Sequence, residues 1–464
     1  MKATGNTKHT RLTIIVIFAF LGITFAKAQT TAEPSTESIL TFDFKGMHIG
    51  TAENEQGPTG TTVFYFPDGV MGAADIRGGA TGTVNAHVVT RSYESKMIDA
   101  VVFSGGSWYG LSAATGVANA IKDENAKQGN VNKIAGVLGG IIYDVGGRRL
   151  SRATPDDHLG REAFLSAKPN SFPLGAYGAG RFAMQGSYFF SGAKDRENQF
   201  ASWPHSGQGA AFAQIGETKI AVFTVVNALG AIVDRNGQLV RCSRNKSDTN
   251  CISISQLIND TGLMKDLTKS NNNGPTNNTT LTLVVTNKKM PYWALQRMAV
   301  QVHTSMGRAI QPFSTQYDGD VLYAVTTAEV EDPDLSPMAL TVAASELAWD
   351  AVLNSVPNVP EPPKPLKTST SRQVLEPFVG IYEFYGGFSL DVFLDSNQLK
   401  AKCNKNAGIY FNKDQIYRLI PASDGQFIIE TPAKDVIRFE LTPKKTVTGL
   451  TVNPGPWHLE AVRK

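Results

Sequence analysis

Much that would place a protein quickly is missing from this chain. The longest apolar run, Leu12 to Phe25, has 14 residues, whereas a helix that crosses a bilayer needs about 20. No membrane span is therefore expected. There is no Walker A loop, no G-x-G-x-x-G turn with an acidic residue about 20 positions on, and no G-x-S-x-G elbow, which argues against nucleotide binding and against an α/β-hydrolase. Beyond the apolar run the histidines (His48, His87, His158, His205, His303, His458) are scattered, and no His/Cys/Asp cluster has ligand spacing. No metal or organic cofactor is expected. Three cysteines occur in 464 residues. Cys242 and Cys251 flank the polar stretch SRNKSDTN and can close a small ring, leaving Cys403 over; three free thiols are the other reading.

Charge is also scarce where it would matter. Lys2, Lys8 and Arg11 precede the apolar run, which leads to the triplet Ala26-Lys27-Ala28, so residues 1–28, with their four positive charges, have the layout of a secretory signal peptide. Their removal takes the formal charge from +3 to −1. No basic stripe interleaved with aromatics is present, so nucleic acid is not an expected partner. The expected product is an exported protein, periplasmic or secreted, starting near Gln29.

What is present divides into two regions. Residues 355–372, SVPNVPEPPKPLKTSTSR, carry five prolines and read as an extended linker. The body before it, residues 29–354, alternates strand-like runs (Thr61–Phe66, Ala100–Gly106, Lys219–Ala228, Leu281–Asn287, Asp320–Thr327) with helical patterns. Leu295, Met298, Ala299, Val302, Met306 and Ala309 form one helical stripe after Pro291. Ser336 followed by Pro337 reads as the start of another helix, and a third follows Gly105-Gly106. In the tail, residues 373–464, short alternating strands with Gly, Asp-Gly and Asn turns indicate a small all-β barrel. The glycine clusters IRGGATGT, FSGGSWYG and GAYGAG read first as tight turns where backbones approach closely.

One junction stands apart. The polar loop NNNGPTNN runs without a spacer into TTLTLVVTN, a buried-strand pattern that begins on Thr279 and Thr280. If the chain were cut before Thr279, that residue would carry a hydroxyl nucleophile and its own α-amine as base. The unperturbed pKa of such an amine is about 7.7–8.0, so it is partly neutral at working pH.

Around this junction a family resemblance emerges. NTTLTLVVTN, RMAVQVHTSMGRAIQP and TQYDGDVLYAVTT, preceded in order by IGTAENEQGPTGTTVFYFPDGVMGAADIRGGATGT, VVFSGGSWYGLSAATGVANAI and GAYGAGRFAMQG, resemble the β-peptidyl aminopeptidase family, also called the L-aminopeptidase/D-esterase family. That family is similar in fold to the ornithine acetyltransferases. The resemblance covers roughly residues 45–355 and implies a four-layer αββα sandwich of the N-terminal-nucleophile type. It further implies hydrolases that cut themselves once before Ser or Thr and then release N-terminal residues from peptides, amides or esters, as homo-oligomers.

Carried over by position, Thr279 is the nucleophile and Asn278-Thr279 the self-cleavage bond. Asp318 and Asp320 lie beside the nucleophile, one to hold an ammonium and the other to orient the hydroxyl. A solvated turn is the plainer reading of that pair. Asn227 corresponds to the oxyanion asparagine and Tyr143 to the family's tyrosine; a turn-forming Asn and a packed Tyr are the alternatives. The chain departs from the family pattern at Thr286-Asn287-Lys288, at residues 185–205 and over the loop 241–278. The tail resembles the β-barrel appended to exported β-lactamase-like hydrolases, where it reads as a stability or docking module. An acyltransferase on the same scaffold and a non-catalytic exported binding protein are the competing functions.

Overall fold

The β-branched runs of the body become two facing leaves of one mixed sheet. In the computed structural model, residues 39–464 are described except 187–204, 241–254, 256–277, 359–362, 367–370 and positions 55, 93, 147, 149, 408, 409, 432 and 433. Eight strands carry the body: β1 (His48–Glu53), β2 (Gly60–Ile76), β3 (Ile98–Ser104), β4 (Val137–Ile141), β5 (Gln208–Ile215), β6 (Thr218–Asn227), β7 (Thr279–Lys288) and β8 (Val321–Val330). They lie in the order β4-β3-β2-β8-β7-β6-β5, with β1 also on β2. The 17-residue β2 joins the leaves. Its first half pairs with β3, from Thr61 opposite Ser104 to Tyr65 opposite Ala100; its second half pairs with β8, from Met71 opposite Thr326 to Ile76 opposite Val321.

Alternation along the strands builds the layers, because successive side chains point to opposite faces. Phe64, Val101, Phe103, Phe223, Val225, Leu281, Leu283 and Tyr323 share one apolar core between the leaves. Their neighbours Val63 and Val102 face helices α1 (Ser112–Lys127) and α2 (Asp157–Leu165). Val222, Val284 and Ala324 face helices α3 (Tyr292–Ser305) and α4 (Pro337–Leu353). The result is the expected αββα sandwich. Helix α4 starts as its sequence requires: Ser336 accepts a hydrogen bond from the Ala339 N–H at 3.1 Å, with Pro337 behind it. On α3, His303 is fully buried and its Nδ1 lies 3.1 Å from Asp75, so it is a core histidine, held below its ordinary pKa by burial.

The tail closes into an eight-stranded antiparallel barrel between Gly380 and Arg463. Tyr382 opposite Arg463 completes the ring. Leu390, Val392, Leu399, Ala401, Tyr417 and Leu419 fill it, the buried half of each alternation. Cys403 is buried here as a free thiol. Cys242, Cys251 and residues 1–28, where the sequence has the layout of a signal peptide, lie outside the described residues.

The described parts of the proline-rich linker are laid against protein, its first residues turning off the end of α4 and Arg372 opening a short helix. Ser355 and Val356 are buried on the body, while Lys364 and Leu366 pair with the barrel through Ser423 N–H to Lys364 O (3.0 Å) and Leu366 N–H to Pro421 O (2.9 Å). The barrel's apolar cluster also takes in Leu150, Ala176 and Phe182 of the body, and the described residues form a single unit by contact. Among the described residues no helix is long and apolar enough to cross a membrane.

Candidate active site

Strand β7 carries Thr279 to the end of the sandwich interior. Thr279 has the parity of Leu281, Leu283 and Val285, which face the inter-leaf core, so its side chain belongs to that face. On β6 Asn227 stands directly opposite Thr279, and facing residues of an antiparallel pair have Cβ atoms about 4.5–5.5 Å apart. The parallel partner is β8, where Leu281 is level with Val321. Continuing that register two residues back brings Thr279 level with Gly319.

Gly319 is where the close contacts converge. Its N–H donates to the carbonyl of Asn278 at 2.6 Å, and the Thr279 hydroxyl donates to the same carbonyl at 2.6 Å. A Cβ at position 319 would stand 2.6 Å from Thr279 Oγ1 and 2.8 Å from the Ala80 carbonyl, so only glycine fits without a shift. The preceding residue is pinned too, by Asn278 N–H to Tyr317 O at 3.0 Å. The glycine cluster IRGGATGT proves to be the bracket behind this turn. Arg77 and Gly78 donate to the carbonyl of Asp320 and Ala80 to that of Asp318, and a Cβ on Gly78 would meet the Asp318 carbonyl at 2.2 Å.

The two aspartates are buried and take different parts. Asp318 spends Oδ1 on the Leu229 N–H (3.1 Å) and Oδ2 on the Thr315 N–H (2.9 Å) and hydroxyl (2.6 Å), which organises the turn leading into β8. Asp320 accepts the Thr280 N–H at 2.6 Å through Oδ1, while its Oδ2 has no hydrogen-bond partner among the described residues. Burial pushes the Asp320 carboxyl well above the usual carboxylate range and the neighbouring Asp318 charge adds to this, against the pull of the Thr280 and Ser314 amides. The solvated turn considered from the sequence is thus a buried acid pair.

Asn227 is held at both ends of its amide. Oδ1 accepts the Met184 N–H at 3.0 Å and Nδ2 donates to the Tyr143 carbonyl at 3.0 Å. One amide hydrogen is thereby used, and the other makes no hydrogen bond among the described residues. Tyr143 enters through that carbonyl; its ring lies over its own following turn at Gly146. Sequence reasoning brought Thr279, Asn227, Asp318 and Asp320 to one place, but it missed Gly319 and Met184, whose contributions are backbone N–H groups with no side-chain signature. At the doubled threonine, Thr279 contributes its hydroxyl and Thr280 only its backbone N–H, which anchors Asp320.

Comparison with known proteins gives this site a family. The profile described as Peptidase family S58 matches residues 40–359. The chain belongs to peptidase family S58. Membership places it among hydrolases and accords with the resemblance drawn from its motifs. Over 330 residues it is 35% identical to the 6-aminohexanoate-oligomer endohydrolase of Paenarthrobacter ureafaciens, covering 68% of this chain and 86% of the relative. An uncharacterized aminopeptidase of Mycobacterium tuberculosis is 29% identical over 324 residues, covering 64% and 86% respectively. The L-aminopeptidase D-Ala-esterase/amidase from Ochrobactrum anthropi superposes with a TM-score of 0.46 at 14% identity, covering 67% of this chain and 83% of that one. The S58 match ends before the barrel, whose first strand begins at Gly380.

Proposed function

We propose that this S58 chain is an exported, self-processing amidase that uses Thr279 first on its own backbone and then, as a new N-terminus, on amide substrates. The observation that carries the reading is the Asn278 carbonyl, gripped at 2.6 Å by both the Gly319 N–H and the Thr279 hydroxyl. In the first reaction Thr279 Oγ1 attacks that carbonyl carbon, and the oxyanion that forms is held by the Gly319 N–H. The C–N bond breaks as the Thr279 nitrogen takes a proton. Water then hydrolyses the Asn278 ester, leaving a carboxylate on Asn278 and a free α-amine on Thr279. In the second reaction the amine accepts the hydroxyl proton while Oγ1 attacks the substrate carbonyl, and it returns the proton to the leaving amine. The unused Asn227 hydrogen stabilises that oxyanion, and water releases the acyl group. Export rests on the leader at residues 1–28.

Two substrate readings divide the relatives. Release of N-terminal residues follows the aminopeptidase relative; internal cleavage of amide-linked oligomers follows the endohydrolase, which is the more similar of the two in sequence. We favour the aminopeptidase reading, with an amine-bearing substrate. A denaturing gel with intact mass should find two chains, about Gln29–Asn278 and Thr279–Lys464, and a free-amine chromogenic amide should turn over. A stable single chain that still hydrolyses would end the Thr279 mechanism. Equal turnover of the N-acetylated substrate would select the endohydrolase reading. Capture of the acyl group by an added amine, with negligible hydrolysis, would select acyl transfer.

A further inference from the structure

The barrel lies beyond the S58 match, yet both supports of Asn227 lead into it. Met184, whose N–H holds Asn227 Oδ1, packs its side chain against the barrel's apolar cluster, and Phe182 is a member of that cluster. On the other side Tyr143, whose carbonyl holds Nδ2, belongs to the loop that continues to Leu150. Leu150 is likewise in the barrel cluster, and its carbonyl accepts the Tyr385 N–H at 3.3 Å.

A third link runs through His205. Its ring stacks on Trp457 of the barrel, with centroids 4.5 Å apart and planes at 17°, and meets Phe182 edge-on at 4.9 Å. Its backbone pairs with Met184. The next residue, Ser206, donates its N–H to Ala183 at 3.0 Å and its hydroxyl to the carbonyl of Val226, the residue before Asn227. Trp457 is only 2% exposed, so the stack is part of the core where barrel and body meet. An asparagine side chain turns about two bonds, and an amide gripped at oxygen and nitrogen keeps its plane only while both grips stay put.

We propose that the barrel is a positioning module for turnover. Through Trp457 on His205, and its apolar cluster on Phe182, Met184 and Leu150, it fixes the plane of the Asn227 amide and so aims the free amide hydrogen at the reacting carbonyl. The inference rests on the amidase reading above and on Asn227 as oxyanion donor. It separates the two reactions of Thr279. Self-cleavage uses the Gly319 N–H and does not need the barrel contact, whereas substrate turnover uses Asn227 and does.

The test compares Trp457→Ala, Trp457→Phe and Met184→Ala in the full chain, with self-cleavage followed by gel and steady-state kinetics on a chromogenic amide. Loss of aim at the reacting group costs up to about 100-fold in rate, so Trp457→Ala and Met184→Ala should lower kcat about 10- to 100-fold with KM within about twofold. Self-cleavage should remain complete, and Trp457→Phe should restore kcat. In an Asn227→Ala background the Trp457→Ala change should have no further effect, since both act through one group. Wild-type kcat in Met184→Ala and in a cooperatively melting Trp457→Ala would overturn the proposal, as would an undiminished Trp457→Ala effect without Asn227. If Trp457→Ala does not fold, Met184→Ala decides alone. Should Thr279→Ala hydrolyse as fast as wild type, the amidase reading fails instead, and that outcome is read from a different variant.

Discussion

Two buried aspartates, Asp320 in the sandwich and Asp435 in the barrel, meet the same physics and end in different states. Burial raises both carboxyls, Asp435 to about 6. Asp435 is answered by a neutral neighbour. Asn453 Nδ2 donates to it at 2.7 Å, and Asn453 Oδ1 takes the Val436 N–H at 2.9 Å, so the acid staples two strand ends. Asp320 instead faces a second carboxylate and keeps one oxygen without a partner among the described residues. The Thr280 N–H that it holds lies one residue from the Asn278-Thr279 bond. Burial alone therefore does not mark a reactive acid. What sets Asp320 apart is the like charge beside it and the unpartnered oxygen, and under the proposed mechanism cutting before Thr279 would create an ammonium nearby.

The sharpest way to break this contrast is at the bond itself. Thr279→Ala should remain one chain by intact mass and lose at least about 10³-fold of amidase activity, the scale of removing a nucleophile; a cut chain would show that the bond is opened by another group. Next in size is the pair of isosteric changes. Asp320→Asn should slow self-cleavage and turnover by about 10²-fold or more, as expected for a positioned acid or base, whereas Asp435→Asn should leave both rates unchanged in timed gels and initial-rate assays. Equal effects would erase the distinction between the two acids.

A smaller effect is expected at the glycine that lets hydroxyl and backbone meet. In Gly319→Ala the new methyl would stand 2.6 Å from Thr279 Oγ1. Overpacking of this kind costs about 1–3 kcal/mol, so a denaturant melt should show that loss together with slower self-cleavage.

The most gradual signal is in pH. A carboxyl whose folded pKa is raised holds its proton longer folded than unfolded, so its stabilising contribution is complete below the unfolded value and declines as pH rises to the folded one. For Asp435 that window runs from 3.8 to about 6, worth about 3 kcal/mol at 1.36 kcal/mol per unit. Urea midpoints of Asp435→Asn should be flatter across it. Uncut Thr279→Ala should show a second decline starting near 3.8, abolished by Asp320→Asn. If only the barrel acid contributed, the proposed lack of a counter-charge at Asp320 would be wrong.

The strands and helices that the sequence announced are those with strong local chemistry. The runs around Val63, Val102, Val222, Val284 and Ala324 became β2, β3, β6, β7 and β8, and Ser336-Pro337 began α4 as written. Strand β5, GAAFAQI after Gln208, was not legible because small residues carry little strand preference and its place is set by pairing with β6. Helix α2 escaped notice although Asp156 caps it through the Leu159 N–H; at nine residues it is short. At the site, side-chain chemistry could be read by position. The Gly319 and Met184 amides and the Tyr143 carbonyl could not, since every residue but proline offers a backbone donor and every residue a carbonyl. Nor did the linker's prolines foretell that its ends lie against body and barrel.

Strand β7 sits in the middle of the sheet, bonded to β6 along eight register pairs and to β8 on its other side. If the bond before Thr279 is opened as proposed, the β6–β7 seam and the β2–β8 seam no longer join parts of one polymer but two separate molecules. The mature enzyme then has an assembly history that its pieces cannot retrace alone. Unfolded precursor returns at a rate indifferent to concentration, while unfolded product must find its other half by collision. Dilution thus becomes a denaturant for the processed form and not for the precursor.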